Sequence, residues 1–526
     1  MTRNIQLVIP MSGIGKRFIE AGYTEPKPLI KINNKSIIDY VVNLFPNVNS
    51  VLFICNEEHI KNNDIEAKLR DIVPNCTIVK VSTENRRGPV DAVYQAREYI
   101  DDTAEIIVSY CDYGTVWDFE KFISTVRNYD GMIPCYTGFH PHMLGSDNYA
   151  FCKEEDRLLI QIKEKEPFTT DKMSEYASNG TYYFKSGDIL KRYFKEAMDA
   201  GLSLNGEYYV SLVYNLLVRD GLKVGIFEIE KMLQWGTPYD LEVFQSWLKY
   251  FKEKYIKQEK ATNPVGTVLV LPMAGRGSRF SEQNYKKPKP LLDIDGSPMV
   301  VQAVNCLPKC SSSVFICLED HLNEYNLREE LHNNFTNTTI VEINETTSGQ
   351  ACTCEIGICE TNIDSNTPIQ ISACDNGVTY NETEYQQLVN DETVDVIVWS
   401  FRNNQTSKVN PNMYSWLQVD EFNNITNVSC KKFIGEDPLK THAIIGTMFF
   451  RKARYFTEGL AKNYNENITT NGEYYVDDII NQCVKAGLNV KVFEVSNYIC
   501  WGTPDDYQTY NYWKEYFEST LDNYKQ

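Results

Sequence analysis

The 526-residue chain carries a formal net charge of −19, with 42% hydrophobic and 12% aromatic residues. Its length exceeds what one hydrophobic core supports and predicts about two to four domains. The acidic balance argues against a nucleic-acid partner, which needs a basic face, and no run reaches the ~18 unbroken apolar residues of a membrane span, so no membrane insertion is expected.

The N-terminal segment MTRNIQLVIP passes directly into a strand-like run, with no apolar signal core or small-residue cleavage site, which points to a cytoplasmic protein. Fifteen scattered cysteines, several in apolar runs (Cys55, Cys111, Cys317, Cys374), fit the same setting as buried free thiols. Residues 7–30, LVIPMSGIGKRFIEAGYTEPKPLI, then read as a buried strand, a glycine-rich turn, an Arg-Phe pair and a Pro-Lys-Pro. Gly13 and Gly15 permit the angles and close approach of a phosphate-cradling turn. Amides freed there can face an anion, and the helix start that follows favours negative charge. Arg17 and Lys27 add two cations, so the segment is a candidate polyphosphate site. It is not a Walker A loop, because Arg17 follows Gly15-Lys16, nor a dinucleotide fingerprint, because Phe18 stands where the third glycine belongs.

Further along, the apolar runs VLFIC, IIVSY and GMIPCY alternate with helical patterns at 36–44, 89–100 and 117–129. Such alternation predicts an α/β, Rossmann-like domain, a mixed and mostly parallel sheet flanked by helices, with ligands beyond the carboxyl ends of the strands. Asp112 follows one of those runs in SYCDYG, facing the expected phosphate loop, where a carboxylate suits Mg²⁺. IKEKEP at 162–167, NGEYYV at 205–210 and WGTP at 235–238 come next, before an amphipathic helical stretch. Charge, Asn-Pro and Gly replace periodicity near 257–266, which predicts a linker between domains at 1–256 and 267–526.

The second domain repeats the first. Gly13 and Gly275, like Lys27 and Lys289, are 262 residues apart; SYCDYG and SACDNG are 263 apart; the NGEYYV and WGTP pairs are 266 apart. The second copy therefore supplies Gly275, Gly277, Arg279, Lys289 and Asp375, with Lys431 opposite Lys165 and Glu473 opposite Glu207.

The string G-x-G-x-R-F followed by P-K-P-L, at Gly13 to Leu29 and again at Gly275 to Leu291, resembles the signature of the sugar-phosphate nucleotidylyltransferases. That resemblance implies two GT-A-like nucleotidyltransferase domains, each moving a nucleoside monophosphate from an NTP to a small phosphorylated sugar or polyol. It implies Mg²⁺ on Asp112 and Asp375, with Arg17, Lys27, Arg279 and Lys289 on the triphosphate. It further implies Lys165 and Lys431 on the acceptor phosphate, Glu207 and Glu473 in the acceptor pocket, and Gly88 and Gly349 in a loop around the base. The family's second metal Asp falls before a Gly-Thr; here that position holds Gln234 or Cys500, a departure more serious in the second half, since thiols suit Mg²⁺ poorly. Members with N-G-E-x-Y-V and G-T-P-x-D often serve surface-polysaccharide (capsule) synthesis, and CTP is the expected nucleotide ahead of dTTP and UTP.

Rival readings are a catalytically weakened regulatory domain and a GT-A glycosyltransferase. The second would need a D-x-D at the strand end; Asp293-Ile294-Asp295-Gly296 has Lys31-Ile32-Asn33-Asn34 as its counterpart, which reads as hairpin-turn chemistry. His140 and His142 lack a third metal ligand. A homo-oligomer is left open.

Overall fold

The computed structural model describes residues 3–62, 64–82, 87–254 and 260–524. The run around LVIP forms the strand Ile5–Met11, with Leu7, Val8 and Ile9 fully buried. Burial on both faces is what a parallel strand inside a layered sheet demands. It lies parallel to Ser50–Asn56 on one side and Glu105–Ser109 on the other, with Thr77–Val81 beyond the former. This four-strand block carries the glycine turn and Asp112 at its carboxyl edge. Past Glu105–Ser109 the direction reverses: Thr181–Phe184 is antiparallel to it and to Gly131–Tyr136. Val224–Glu228, Leu158–Glu164, Ala150–Glu155 and Tyr176–Ser178 complete a ten-stranded mixed sheet.

Residues after 260 build the same order. Val268–Met273 is parallel to Ser312–Leu318 and Ile369–Ile371, and Thr338–Ile343 lies outside. His442–Phe450 reverses between Ile369–Ile371 and Val396–Phe401, and Val490–Glu494 follows in parallel. One long strand here replaces two short ones in the first sheet, which break at Asn179 and Gly180.

Local chemistry sets the helix ends. Ser36, Asp118 and Ser186 accept hydrogen bonds from the first-turn amides of Ile37–Asn43, Phe119–Thr125 and Gly187–Asp199. The expected helix at 89–100 is an α-helix only over Pro89–Gln95, tightening to a 3-10 turn at Arg97–Tyr99. No helix among the described residues is long and apolar enough to cross a membrane. All fifteen cysteines are free.

Two compact units make up the chain: Met1–Gln245 with Asp522–Gln526, and Ser246–Leu521. The division thus falls inside the helix Pro238–Lys254, earlier than the boundary expected at 256, because the second half of that helix packs with Tyr510 and Phe517. Of the expected linker at 257–266, residues 257–259 lie outside the described residues. The remainder packs onto the second unit, where Asn263 is buried and its side-chain amide donates to Gln370 (2.6 Å).

A two-stranded ribbon in each unit steers the WGTP segment to the aspartate. Lys231–Gln234 pairs with Tyr113–Val116, placing Gln234 opposite Tyr113, and Asn497–Cys500 pairs with Asn376–Thr379, placing Cys500 opposite Asn376. The amides of Trp235 and Trp501 donate to the carbonyls of Asp112 (3.1 Å) and Asp375 (2.9 Å). A Cβ on Gly114 would sit 2.7 Å from the Trp235 ring, as would one on Gly377 from Trp501. Gly114→Ala and Gly377→Ala are therefore expected to destabilise their units by about 1–3 kcal/mol, read as a lowered thermal midpoint; an unchanged midpoint would mean the indoles do not clamp these loops.

Candidate functional site

The glycine turn closes over the lysine. Gly15 adopts φ 69°, in the left-handed region, and its missing Cβ would stand 3.4 Å from Lys27 Cβ; Gly277 at φ 62° repeats this against Lys289. Gly13 and Gly275 use no left-handed angle and have no neighbour within 4 Å of the missing Cβ, so their bareness leaves open space. The short helices Lys16–Glu20 and Ser278–Glu282 follow directly.

Each lysine reaches the strand-end aspartate. The Lys27 ammonium pairs with an Asp112 carboxylate oxygen and donates to the Gly236 carbonyl (3.0 Å); Lys289 Nζ donates to Asp375 Oδ2 at 2.7 Å. Both pairs are only partly exposed. Burial works against the charge on Lys289, but the Asp375 carboxylate beside it holds the ammonium above its ordinary value. Burial likewise opposes ionisation of Asp375, yet Lys289, with Lys431 further off, keeps its carboxyl below the ordinary value.

Gln234 and Cys500 do stand at the aspartates. A Cβ on Gly236 would touch Asp112 Oδ2 (3.2 Å) and Gln234 Nε2 (3.3 Å), and one on Gly502 would touch Asp375 Oδ2 (3.1 Å) and Cys500 Sγ (3.4 Å). Both arginines stand outside the two lysine–aspartate pairs. Arg17 is exposed, and its charge is felt at Asp240 and Tyr209. Arg279 is also exposed and forms no ion pair with Asp375, whose carboxylate is taken by Lys289. In both halves the turn, lysine and aspartate are brought together, and neither arginine is ion-paired with its strand-end aspartate.

Lys165 and Lys431 occupy the same backbone state, with φ 59° and 54°. A left-handed lysine costs roughly 1–2 kcal/mol, so its repetition marks a held position. Lys165 Nζ donates to Tyr209 OH (2.7 Å), which donates to Glu207 (2.6 Å), joining two expected acceptor-site residues through a tyrosine. Lys431 Nζ donates instead to the Met413 carbonyl (2.5 Å) and lies 5.7 Å from the Tyr475 ring; Glu473 is exposed and raises the Tyr475 hydroxyl together with burial. Gly88 and Gly349 were expected to admit a base closely. Their bareness admits the chain itself: a Cβ on Gly88 would meet Tyr208 N at 2.7 Å, and one on Gly349 would meet Tyr474 N at 2.5 Å. Tyr208 N donates to the Arg87 carbonyl and Val90 N to the Tyr208 carbonyl, so this loop is stitched to NGEYYV.

Among the described residues no three His, Cys, Asp or Glu side chains form a metal cage. An ion such as Mg²⁺ binds through one or two carboxylates and takes its other oxygens from phosphate and water. Asp112 with the Gln234 amide offers oxygen donors of that kind; Asp375 beside the Cys500 thiol offers one carboxylate only.

Against known proteins, the model of the nucleotidyl transferase family matches residues 7–210. Among solved structures the chain is similar to a nucleoside-diphosphate-sugar pyrophosphorylase from Vibrio cholerae RC9 (24% identity, 44% of this chain and 97% of that one, TM-score 0.38). It is also similar to an inositol-1-phosphate CTP transferase from T. maritima (16%, 49% and 98%, 0.38) and a UDP-glucose pyrophosphorylase from Acinetobacter baumanii (17%, 48% and 95%, 0.37). No curated protein matches the chain.

Two carboxylates that sequence reasoning left unattached belong to the site. Asp240 accepts from Thr237 Oγ1 (2.6 Å) at a helix start and feels Lys27, Arg17 and Asp112; Asp506 repeats the Thr503 bond (2.6 Å) and accepts from Cys500 Sγ (3.3 Å). The signal was T-P-x-D, a capping pattern whose link to the site exists only in the fold. His140 and His142 instead pack their rings, tilted or edge-on, against Tyr136 and Tyr149, and burial pushes His140 down to about 4.

Burial pushes Asp240 up to about 6 from an ordinary 3.8. The folded chain holds this proton more tightly than the unfolded one, so stability falls as pH rises through that window. Asp240→Asn is expected to raise stability by about 2 kcal/mol at pH ~7 and to change nothing below pH ~4. Thermal melts across that range check it; a gain independent of pH would contradict it.

Proposed function

We infer that each half is a nucleotidylyltransferase passing a nucleoside monophosphate from an NTP, CTP foremost, to a small phosphorylated sugar or polyol, giving an NDP-sugar or NDP-polyol for surface-polysaccharide synthesis and releasing pyrophosphate. The observation that carries this reading is the lysine–aspartate pair at the strand end under a glycine turn, present twice. An acceptor phosphate oxygen attacks the α-phosphorus, a new P–O bond forms, and the bond to the β-phosphate oxygen breaks. Two polyanions must meet, and a like-charge pair ~4 Å apart costs about 4 kcal/mol at an effective dielectric near 20, equal to about three decades of rate.

The chain's own groups answer that cost. Lys27 and Arg17 hold the triphosphate and steady the leaving pyrophosphate; Lys165, fixed by Tyr209, orients the attacking phosphate in line. Lys289 and Lys431 do the same in the second half. Mg²⁺ on Asp112 or Asp375, together with phosphate oxygens and water, would supply charge neutralisation at the α-phosphate. No nucleophilic Ser or Cys is required. CTP and the polysaccharide role rest on the sequence resemblance.

Pyrophosphate release from each of the four NTPs with Mg²⁺ and a panel of sugar and polyol phosphates tests this. Asp112→Asn and Asp375→Asn are each expected to lower turnover of their own half more than tenfold, and the double variant to be silent. Undiminished release by the double variant would remove the metal-carboxylate assignment.

A further inference from the structure

The two halves place a carboxylate beside the acceptor lysine from opposite sides of the same interface. In the first unit, Asn215 on the helix Val210–Arg219 clamps the strand Leu158–Glu164, accepting from Ile162 N (3.0 Å) and donating to Ile162 O (2.9 Å). In the second, Asn481 on Val476–Lys485 grips Val428 of Ile425–Ser429 in the same way (2.8 Å both). Both asparagines and both strand residues are 266 apart, so the register of helix on strand is the same. Two residues along the strand from the clamp stand Glu164 and Cys430; four residues back along the helix stand Ser211 and Asp477. Ser211 Oγ donates to Glu164 at 2.6 Å. In the second unit the acid has moved to the helix and the small side chain to the strand, where Ser415 Oγ donates to Cys430 Sγ (3.4 Å).

Both acids lie within the field of the neighbouring lysine. Burial raises each carboxyl; Ser211 and Lys165 oppose this at Glu164, Ser415 and Lys431 at Asp477. A buried charge is costly to keep, and a reciprocal exchange that keeps one, and only one, of these two positions acidic in each half is hard to explain by packing alone.

The walls differ as well. Gly180, at φ 93°, faces Tyr110, with a missing Cβ 3.1 Å from its ring; Gly446, at φ 83°, faces Ala373 instead. Tyr110 senses Glu164 and Tyr209, and Tyr149, near Gln234 and Asp240, has Ser415 as its counterpart. Two aromatic rings of the first half are thus a methyl and a hydroxymethyl in the second.

We propose that in the second half Asp477 is the specificity carboxylate, accepting hydrogen bonds from hydroxyl or ammonium groups of the acceptor phosphate, and that this half takes a bulkier acceptor than the first. The inference rests on the nucleotidylyltransferase reading. Its test uses the full chain with the first half silenced by Asp112→Asn, with glycerol 3-phosphate, ribitol 5-phosphate and glucose 1-phosphate as probes.

Adding Asp477→Ser is expected to raise the acceptor KM at least tenfold while the NTP KM stays within twofold, and adding Cys430→Glu to that variant restores the acceptor KM to within threefold. Asp477→Asn, which keeps the volume, is expected to show the same KM rise with a melting midpoint that does not fall. Ala373→Tyr is expected to penalise glucose 1-phosphate more than glycerol 3-phosphate. An unaltered KM in Asp477→Ser, failure of Cys430→Glu to restore it, or an equal penalty on both probes overturns the proposal. So does silence of the Asp112→Asn chain while the Asp375→Asn chain works. Silence of both chains with every NTP and probe removes the proposed function itself.

Discussion

The ion pair between a turn lysine and a strand-end aspartate, Lys27 with Asp112 and Lys289 with Asp375, is the constraint on which both units depend. Partly buried charges are tolerated only when paired, and stripping one partner leaves the other uncompensated. Much of the surrounding structure serves to keep the partners at hydrogen-bond distance. Gly15 and Gly277 bend the turn so that the lysine stem passes close beneath, and Trp235 and Trp501 press the following loop onto the aspartate backbone. A cation already seated on the carboxylate also gives the site a neutral resting state. On the proposed reading, a triphosphate arriving there would meet an ammonium it can recruit, and a divalent ion a carboxylate it can claim.

The likeness of the two units shows most clearly in backbone positions that resist side chains. Lys165 and Lys431, Asn205 and Asn471, and Asn33 and Asp295 are left-handed at matching places, all without the freedom of glycine. Asn and Asp bear that conformation cheaply, through local hydrogen bonds; lysine does not, so its repetition marks a position held by its surroundings in both units. Against this shared frame the exchanges stand out: Gln234 for Cys500, Tyr110 for Ala373, and Glu164 with Ser211 for Cys430 with Asp477. The frame is kept and the recognition groups change, as expected for sites grafted on one fold.

Much of this was legible from residue types. Runs apolar on both faces, such as LVIP and VLFIC, had to be buried parallel strands, and capped helices at 36–44 and 117–129 lie where Ser36 and Asp118 put their starts. The D-I-D-G segment is indeed a hairpin, with Asp295 left-handed at its turn. What stayed hidden depends on partners distant in sequence. TYYF reads alike in either direction, so the antiparallel turn of the sheet at Thr181–Phe184 left no mark. Gly88 announced a close approach but not that Tyr208 makes it. Asp240 stands close in sequence to Gln234 with nothing there to tie it to the site, and only the fold sets it near Lys27. Arg17 and Arg279 read alike in sequence, and only the fold shows that the lysines, not the arginines, take the aspartates.

The central claim is that Asp112 and Asp375 each anchor a divalent ion once a triphosphate has drawn the lysine away. Electron paramagnetic resonance of Mn²⁺ titrated into the chain with a non-hydrolysable CTP analogue counts those ions directly. The account predicts two triphosphate-dependent sites per chain, one in either single Asp→Asn variant and none in the double variant. Two sites persisting in the double variant would contradict it.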